Sequence, residues 1–177
     1  MKSFFQKYFA LIGIIVSAGL VCLDQWTKML AVERLKDKAP FVIIEDIFEF
    51  HYYENKGAAW GIMQGKQTFF YVLTVLFCLI LFYEMYRLSK NAKFTPANYL
   101  LVMLFAGTIG NFIDRIRLQY VVDFIYVKAI NFPIFNLADC YITVSVIVLM
   151  VLIFFYYNDQ EFDEMFPFLK SKNKKDE

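Results

Sequence analysis

Nucleophiles and soft metal ligands are scarce in this chain. Its 177 residues hold one histidine, His51, and three cysteines, Cys22, Cys78 and Cys140. A single histidine and unclustered cysteines make a poor metal site. The cysteines lie inside apolar runs and are odd in number, which argues against a disulfide framework and for small buried hydrophobes. Net charge is only +1, so overall charge points to no nucleic-acid partner. There is no phosphate-binding glycine loop, no serine set in a strand-to-helix elbow and no internal repeat.

What the chain has in excess is apolar surface. It is 59% hydrophobic and 20% aromatic, too apolar for an ordinary soluble domain. Four windows carry no charge: Tyr8–Leu23, Gln67–Tyr83, Phe94–Ile113 and Cys140–Asn158. A membrane-spanning helix needs about 20 mostly apolar residues. The third and fourth windows meet that length directly. The second needs Glu84 to Tyr86 as its interfacial end, and the first must continue through Asp24 and Lys28. Lys2 and Lys7 precede the first window much as in a signal peptide. No small-x-small cleavage pattern appears before Asp24, so the window reads as a retained helix. The expected organisation is a mainly α membrane protein with helices at about 8–32, 67–87, 94–114 and 138–158. Residues 1–158 form one domain, and 159–177 read as a mobile, charged cytoplasmic tail. Lysine and arginine counts barely prefer both termini inside. Segments 33–66 and 115–137 then lie outside.

The first outer segment holds two strand-like runs, Phe41–Ile44 and Ile47–Tyr53, around Glu45-Asp46. Asn55-Lys56-Gly57 is a turn signal. Ala58 to Met63 reads as a short interfacial helix with Trp60 at headgroup level. In the second outer segment Tyr120–Tyr126 is strand-like and suited to pair with the first platform.

Polar residues fall on helix stripes. Gly107, Gly110, Asn111 and Asp114 stand at i, i+3, i+4 and i+7, with Arg115 adjacent. Small residues there allow close helix approach and let Asn111 and Asp114 project into the interface. Asp24 and Lys28 are i and i+4 with the acid first, the favourable order for an ion pair. Asn136 is placed to cap the last helix with Asp139 three residues on. Packing and capping account for these features singly. They do not account for Asp123 or the Asn111–Arg115 cluster. Carboxylates at membrane depth mark functional sites by default. A Cys140–His51 pair would be needed for thiol chemistry, yet His51 falls in the first outer segment. A carboxylate pair, Asp123 with Asp139, is the remaining candidate. Two close acids share a proton, so one can take a proton from water while the other donates to a scissile carbonyl.

Five stretches together resemble the signature motifs of bacterial lipoprotein signal peptidase, signal peptidase II. They are Asp24-Gln25-Trp26-Thr27-Lys28, Asn55-Lys56-Gly57-Ala58-Ala59-Trp60, Gly110-Asn111-Phe112-Ile113-Asp114-Arg115, Val121-Val122-Asp123-Phe124-Ile125 and Phe135-Asn136-Leu137-Ala138-Asp139. Trp60 stands where the family often has phenylalanine. The resemblance implies an aspartyl endopeptidase of the bacterial inner membrane, with four spans, cytoplasmic termini and an extracytoplasmic site. It implies no cofactor or metal. It implies cleavage of diacylglyceryl-modified prolipoproteins before the lipidated cysteine, in contact with membrane lipid, and inhibition by globomycin. Carried over, Asp123 and Asp139 are catalytic, and Asp24, Lys28, Asn55, Gly57, Asn111, Asp114, Arg115 and Asn136 support them or bind substrate. The alternative is a small polytopic ion or proton transporter using the acids as a relay. A relay would spread its acids through the bilayer depth, whereas these gather toward one side.

Overall fold

A computed structural model describes residues 4–57, 67–167 and 169. Four helices are long and apolar enough to cross a membrane: α1 (Phe4–Leu35), α2 (Gln67–Leu88), α3 (Thr95–Leu118) and α4 (Leu137–Phe155). Three strands, β1 (Phe41–Ile44), β2 (Phe48–Asn55) and β3 (Val121–Val127), form an antiparallel sheet in the order β1-β2-β3. A short helix, α5 (Asp159–Met165), follows α4. The protein is therefore a mainly helical, multi-pass membrane protein with one small sheet.

α3 is the centre of the bundle. Half of its span is buried inside the protein, against 17%, 11% and 17% for α1, α2 and α4, which all pack on it. Two glycines make this possible. A Cβ at Gly107 would come within 2.6 Å of the Ala138 carbonyl oxygen, and one at Gly110 within 2.5 Å of Asp24 Oδ2. Neither approach tolerates a side chain, so α4 and α1 reach α3 only because these positions lack one. α2 leaves Leu76, Leu79, Ile80, Phe82 and Tyr83 exposed, which suits a lipid-facing helix.

α3 extends to Leu118, past the expected end at 114. It stops where Gln119 takes a left-handed conformation, φ 68°, and donates to the Arg115 carbonyl. α1 likewise runs to Leu35, because Asp24 and Lys28 lie on its buried face rather than at a frayed end. The expected pairing of the two outer segments is present as the β2–β3 ladder. One sheet face closes over the end of α1, with Val122 and Phe124 against Ala31. Chain 132–135 covers part of the far edge of β3, through a bridge between Ile125 and Phe135. The helix expected over Ala58–Met63, with Trp60, lies outside the described residues.

The start of the tail differs from expectation. Residues 159–165 are helical and docked. Asn158 accepts from Glu161 N–H while Glu161 accepts from Asn158 N–H, a complete capping box. Arg87, itself paired with Glu84, donates to the carbonyls of Glu164 and Met165. Met165 is 4% exposed and joins Leu88, Phe94, Ala97 and Tyr157 in one apolar cluster. Counting charges in 159–164 hides this, because every third or fourth side chain (Phe162, Met165, Phe166) is apolar.

Candidate active site

The polar residues singled out above converge at the sheet end of the bundle. Lys28 is the buried hub. Its ammonium lies 2.9 Å from Asp24 Oδ2 and 3.0 Å from Asp114 Oδ2, and donates to Asn111 Oδ1 at 2.9 Å. Three donors thus meet three acceptors, the condition for keeping a buried ammonium. Each acid also holds backbone. Asp24 Oδ1 accepts from Ala138 N–H at 3.0 Å, in the first turn of α4. Asp114 Oδ2 accepts from Val122 N–H at 3.2 Å, one residue before Asp123. The triad therefore fixes where α4 and β3 begin relative to α1 and α3.

Two asparagines carry that geometry to the acids. Asn111 receives Lys28 on its oxygen, so its amide nitrogen must face away, and it donates to Asp139 Oδ1 at 2.7 Å. Asn136 caps α4 by accepting from Asp139 N–H at 3.0 Å, and its own N–H donates to Asp139 Oδ2 at 3.1 Å. Its amide nitrogen donates to Asp123 Oδ1 at 2.6 Å and to Asn111 Oδ1 at 3.1 Å. One side chain thus bridges Asp123 on β3 and the helix turn that carries Asp139. Asn55 supplies the second donor to Asp123, 2.9 Å from Oδ2, while its oxygen accepts from Gly57 N–H at 3.1 Å. Asp123 is almost completely buried. Burial first, and then the neighbouring Asp139 charge, push its carboxyl up to about 7, against hydrogen bonds from Asn55 and Asn136 that favour ionisation.

All ten sequence candidates lie in or beside this assembly. Arg115, expected to help hold the acids, acts on Asp139 and Asp123 by its charge across space rather than through a direct ion pair. None of the ion pairs among the described residues includes it. Its guanidinium stands 5.1 Å from the Phe70 ring centroid and donates to the carbonyls of Asn111 at 3.3 Å and Gly57 at 3.5 Å. It ties the Asn55–Gly57 turn to α3 and stacks on α2.

Sequence reasoning missed three contributors. Gln25 donates to Asp114 Oδ1 at 3.0 Å and to the Gly110 carbonyl at 3.1 Å; its only signal was its place between Asp24 and Lys28. Tyr71 of α2 donates to the Arg115 carbonyl at 2.8 Å. Tyr53 stands directly opposite Asp123 in the β2–β3 ladder. His51 lies on β2 beside Glu49, 3.8 Å away. Among the described residues no three histidine, cysteine or acidic side chains are grouped to hold a metal ion.

Known proteins resemble this chain along most of its length. Residues 16–155 match the family model described as signal peptidase (SPase) II. A lipoprotein signal peptidase of Caldanaerobacter subterraneus is 44% identical over 144 residues, covering 81% of this chain and 96% of that protein. One from Staphylococcus aureus is 37% identical over 149 residues, covering 82% and 90%. A solved bacterial membrane enzyme structure superposes with a TM-score of 0.74 at 32% identity, covering 96% of this chain and 97% of that one.

Proposed function

Because this chain belongs to the signal peptidase II family, an aspartic-type peptidase of the membrane, we propose that Asp123 and Asp139 are its catalytic dyad. The single observation that carries this reading is the asparagine bridge. Asn136 holds Asp123 through its amide and Asp139 through its capping box, so the two carboxyls are fixed relative to each other. A carboxyl held near 7 beside a second one lets the pair keep one proton at neutral pH. The ionised member takes a proton from water, whose oxygen attacks the peptide carbonyl. The protonated member donates to the carbonyl oxygen. The tetrahedral intermediate collapses by breaking the C–N bond: one of its hydroxyls returns a proton to the ionised acid, and the leaving amine receives the proton the other acid took from water.

The substrate is a prolipoprotein whose cysteine carries diacylglycerol, and the bond broken is the one before that cysteine. Acyl chains stay in the bilayer beside the spans, so only a site at membrane level reaches the scissile bond. Four spans return the chain to the side where it began. The acids gather at the sheet end of the bundle, the arrangement a surface cleft needs and a transmembrane relay does not. Both termini are cytoplasmic and the sheet end is extracytoplasmic in this reading. Globomycin occupies the same cleft. Asn111, Asn136 and Asn55 orient the acids; Asp24, Lys28 and Asp114 hold the frame; Gly57 and Arg115 set the turn over it.

The test is cleavage of a purified diacylglyceryl-modified prolipoprotein in detergent. Asp123→Asn and Asp139→Asn each abolish product with the fold retained, and the double variant is little worse than either. Globomycin blocks the wild type. Substantial cleavage by either asparagine variant would sink the dyad.

A further inference from the structure

The backbone amides that immediately precede the two acids are each held by a buried carboxylate. Val122 N–H, just before Asp123, donates to Asp114 Oδ2 at 3.2 Å. Ala138 N–H, just before Asp139, donates to Asp24 Oδ1 at 3.0 Å. The spacing of those two carboxylates therefore helps set the spacing of the acids. Left alone, two like charges would move apart. Lys28 draws them together by its charge, at 2.9 Å from Asp24 and 3.0 Å from Asp114. Gln25, a neutral side chain, also touches both. Its amide nitrogen lies 3.0 Å from Asp114 Oδ1, 3.1 Å from the Gly110 carbonyl oxygen and 3.3 Å from Asp24 Oδ2. Two hydrogens serve three acceptors, so one of them is shared. Gln25 thus spans one turn of α3 and reaches Asp114 on the oxygen opposite the one that meets Lys28 and Val122.

We propose that Gln25 is a positioning residue that, together with Lys28, sets the separation of Asp123 and Asp139. This rests on the dyad reading above. Lys28 and Val122 both meet Asp114 at Oδ2. A carboxylate held at one oxygen can turn about it. The bond from Gln25 to Oδ1 fixes a second point, and with it the plane in which Oδ2 receives Val122 N–H. Without the amide, Asp24 and Asp114 lose a shared donor, and Lys28 is left to oppose their repulsion. The backbones they hold follow, and the acids move apart. Neighbouring acids titrate as a pair, one apparent pKa pushed down and the other up. Separation weakens that coupling, so the two values approach each other. The titratable groups around the dyad are Asp24 and Lys28 of α1, Tyr53 of β2, Asp114 and Arg115 of α3 and Cys140 of α4. Gln25 carries no charge, so a neutral replacement leaves that set as it is and changes only the bracing.

The experiment measures kcat and KM across pH for the wild type and Gln25→Met, on a purified diacylglyceryl-modified prolipoprotein in detergent. Methionine is close to glutamine in length and uncharged, and it has no N–H to donate. At the optimum kcat is expected to fall by about tenfold, the scale of a small misplacement of reacting groups. KM is expected to stay within about twofold, because substrate binding is not the step disturbed. The two limbs of the kcat profile are expected to move toward each other. A merely structural loss lowers the amount of active protein and leaves the limbs where they are. A lower kcat with unmoved limbs therefore overturns the proposal, as does an unchanged kcat or a shift of both limbs in one direction. If Gln25→Met does not fold, Gln25→Asn, whose amide is one methylene shorter, is scored by the same narrowing. Asp123→Asn runs alongside. Cleavage by that variant, or a wild-type profile without paired limbs, sinks the dyad reading and this inference with it. An inactive Asp123→Asn together with unmoved Gln25→Met limbs sinks this inference alone.

Discussion

Replacing Asp123 by asparagine is expected to remove a pH dependence of stability that the wild-type protein carries. Burial and the Asp139 charge hold the Asp123 carboxyl at about 7, from an ordinary value of 3.8. The unfolded chain loses this proton near 3.8, whereas the folded chain keeps it until about 7. Between those values the folded state binds more protons, so stability falls as pH rises through the window and levels off above it. Between pH 5 and pH 8 the loss approaches about 3 kcal/mol, an upper limit for one carboxyl. For a chain of this size that is a fall of roughly 5–10 °C in Tm. Asparagine does not titrate, so this dependence disappears in the variant. It has its own cost. One carboxyl oxygen becomes an amide NH2 donor facing a donor from Asn55 or Asn136, at about 1–3 kcal/mol. The variant is therefore less stable at pH 5, and the gap closes or inverts by pH 8. Thermal unfolding of both proteins in one detergent across that range measures it. Parallel Tm curves would refute the claim that Asp123 is buried with a shared proton.

Gly110→Ala is expected to destabilise by about 1–3 kcal/mol, because its Cβ displaces the Asp24 carboxylate from Lys28 and from the start of α4. Gly19→Ala, whose Cβ meets nothing within 4 Å, is the control and should match or slightly exceed the wild type in Tm. Cysteines placed at Lys38 and Asn91, with the three native cysteines changed to alanine, should label from opposite sides of the membrane with an impermeant thiol reagent. Labelling of both from one side would overturn the proposed orientation.

The four spans and the sheet were readable from apolar length and β-branched runs, because those signals lie in consecutive residues. Asp123 and Asp139 stood out because carboxylates beside apolar helices are costly and rare. Their connection through Asn136 was half readable: the cap was visible as Asn136 and Asp139 three apart, but the bond to Asp123 joins residues that only the β3–α4 path brings together. Gln25 and Tyr71 were invisible for the same reason. Each acts through a partner on another element, and neither is an unusual residue for its own segment. The docking of α5 was missed because charge density masked its apolar spacing. Arg115 was expected to help hold the two acids, and its charge does act on Asp139 and Asp123, but without a direct ion pair. It instead lies on Phe70 and two carbonyls, a geometry set by its planar guanidinium.

The buried Lys28 triad has a consequence for how the protein is made. Lys28 ends up against Asn111, 83 residues further along, so α1 must enter the bilayer before its final partners have been synthesised. A lone ammonium or carboxylate in a helix entering the membrane costs about 2.5–3.5 kcal/mol. Asp24 lies one turn away on the same helix, 2.9 Å from the ammonium in the finished fold. The pair can neutralise itself within α1, so the helix carries its charges in as a dipole rather than as two ions. Asp24 is thus first a travelling companion for Lys28. Only when α3 and α4 arrive does its second oxygen take up the α4 backbone.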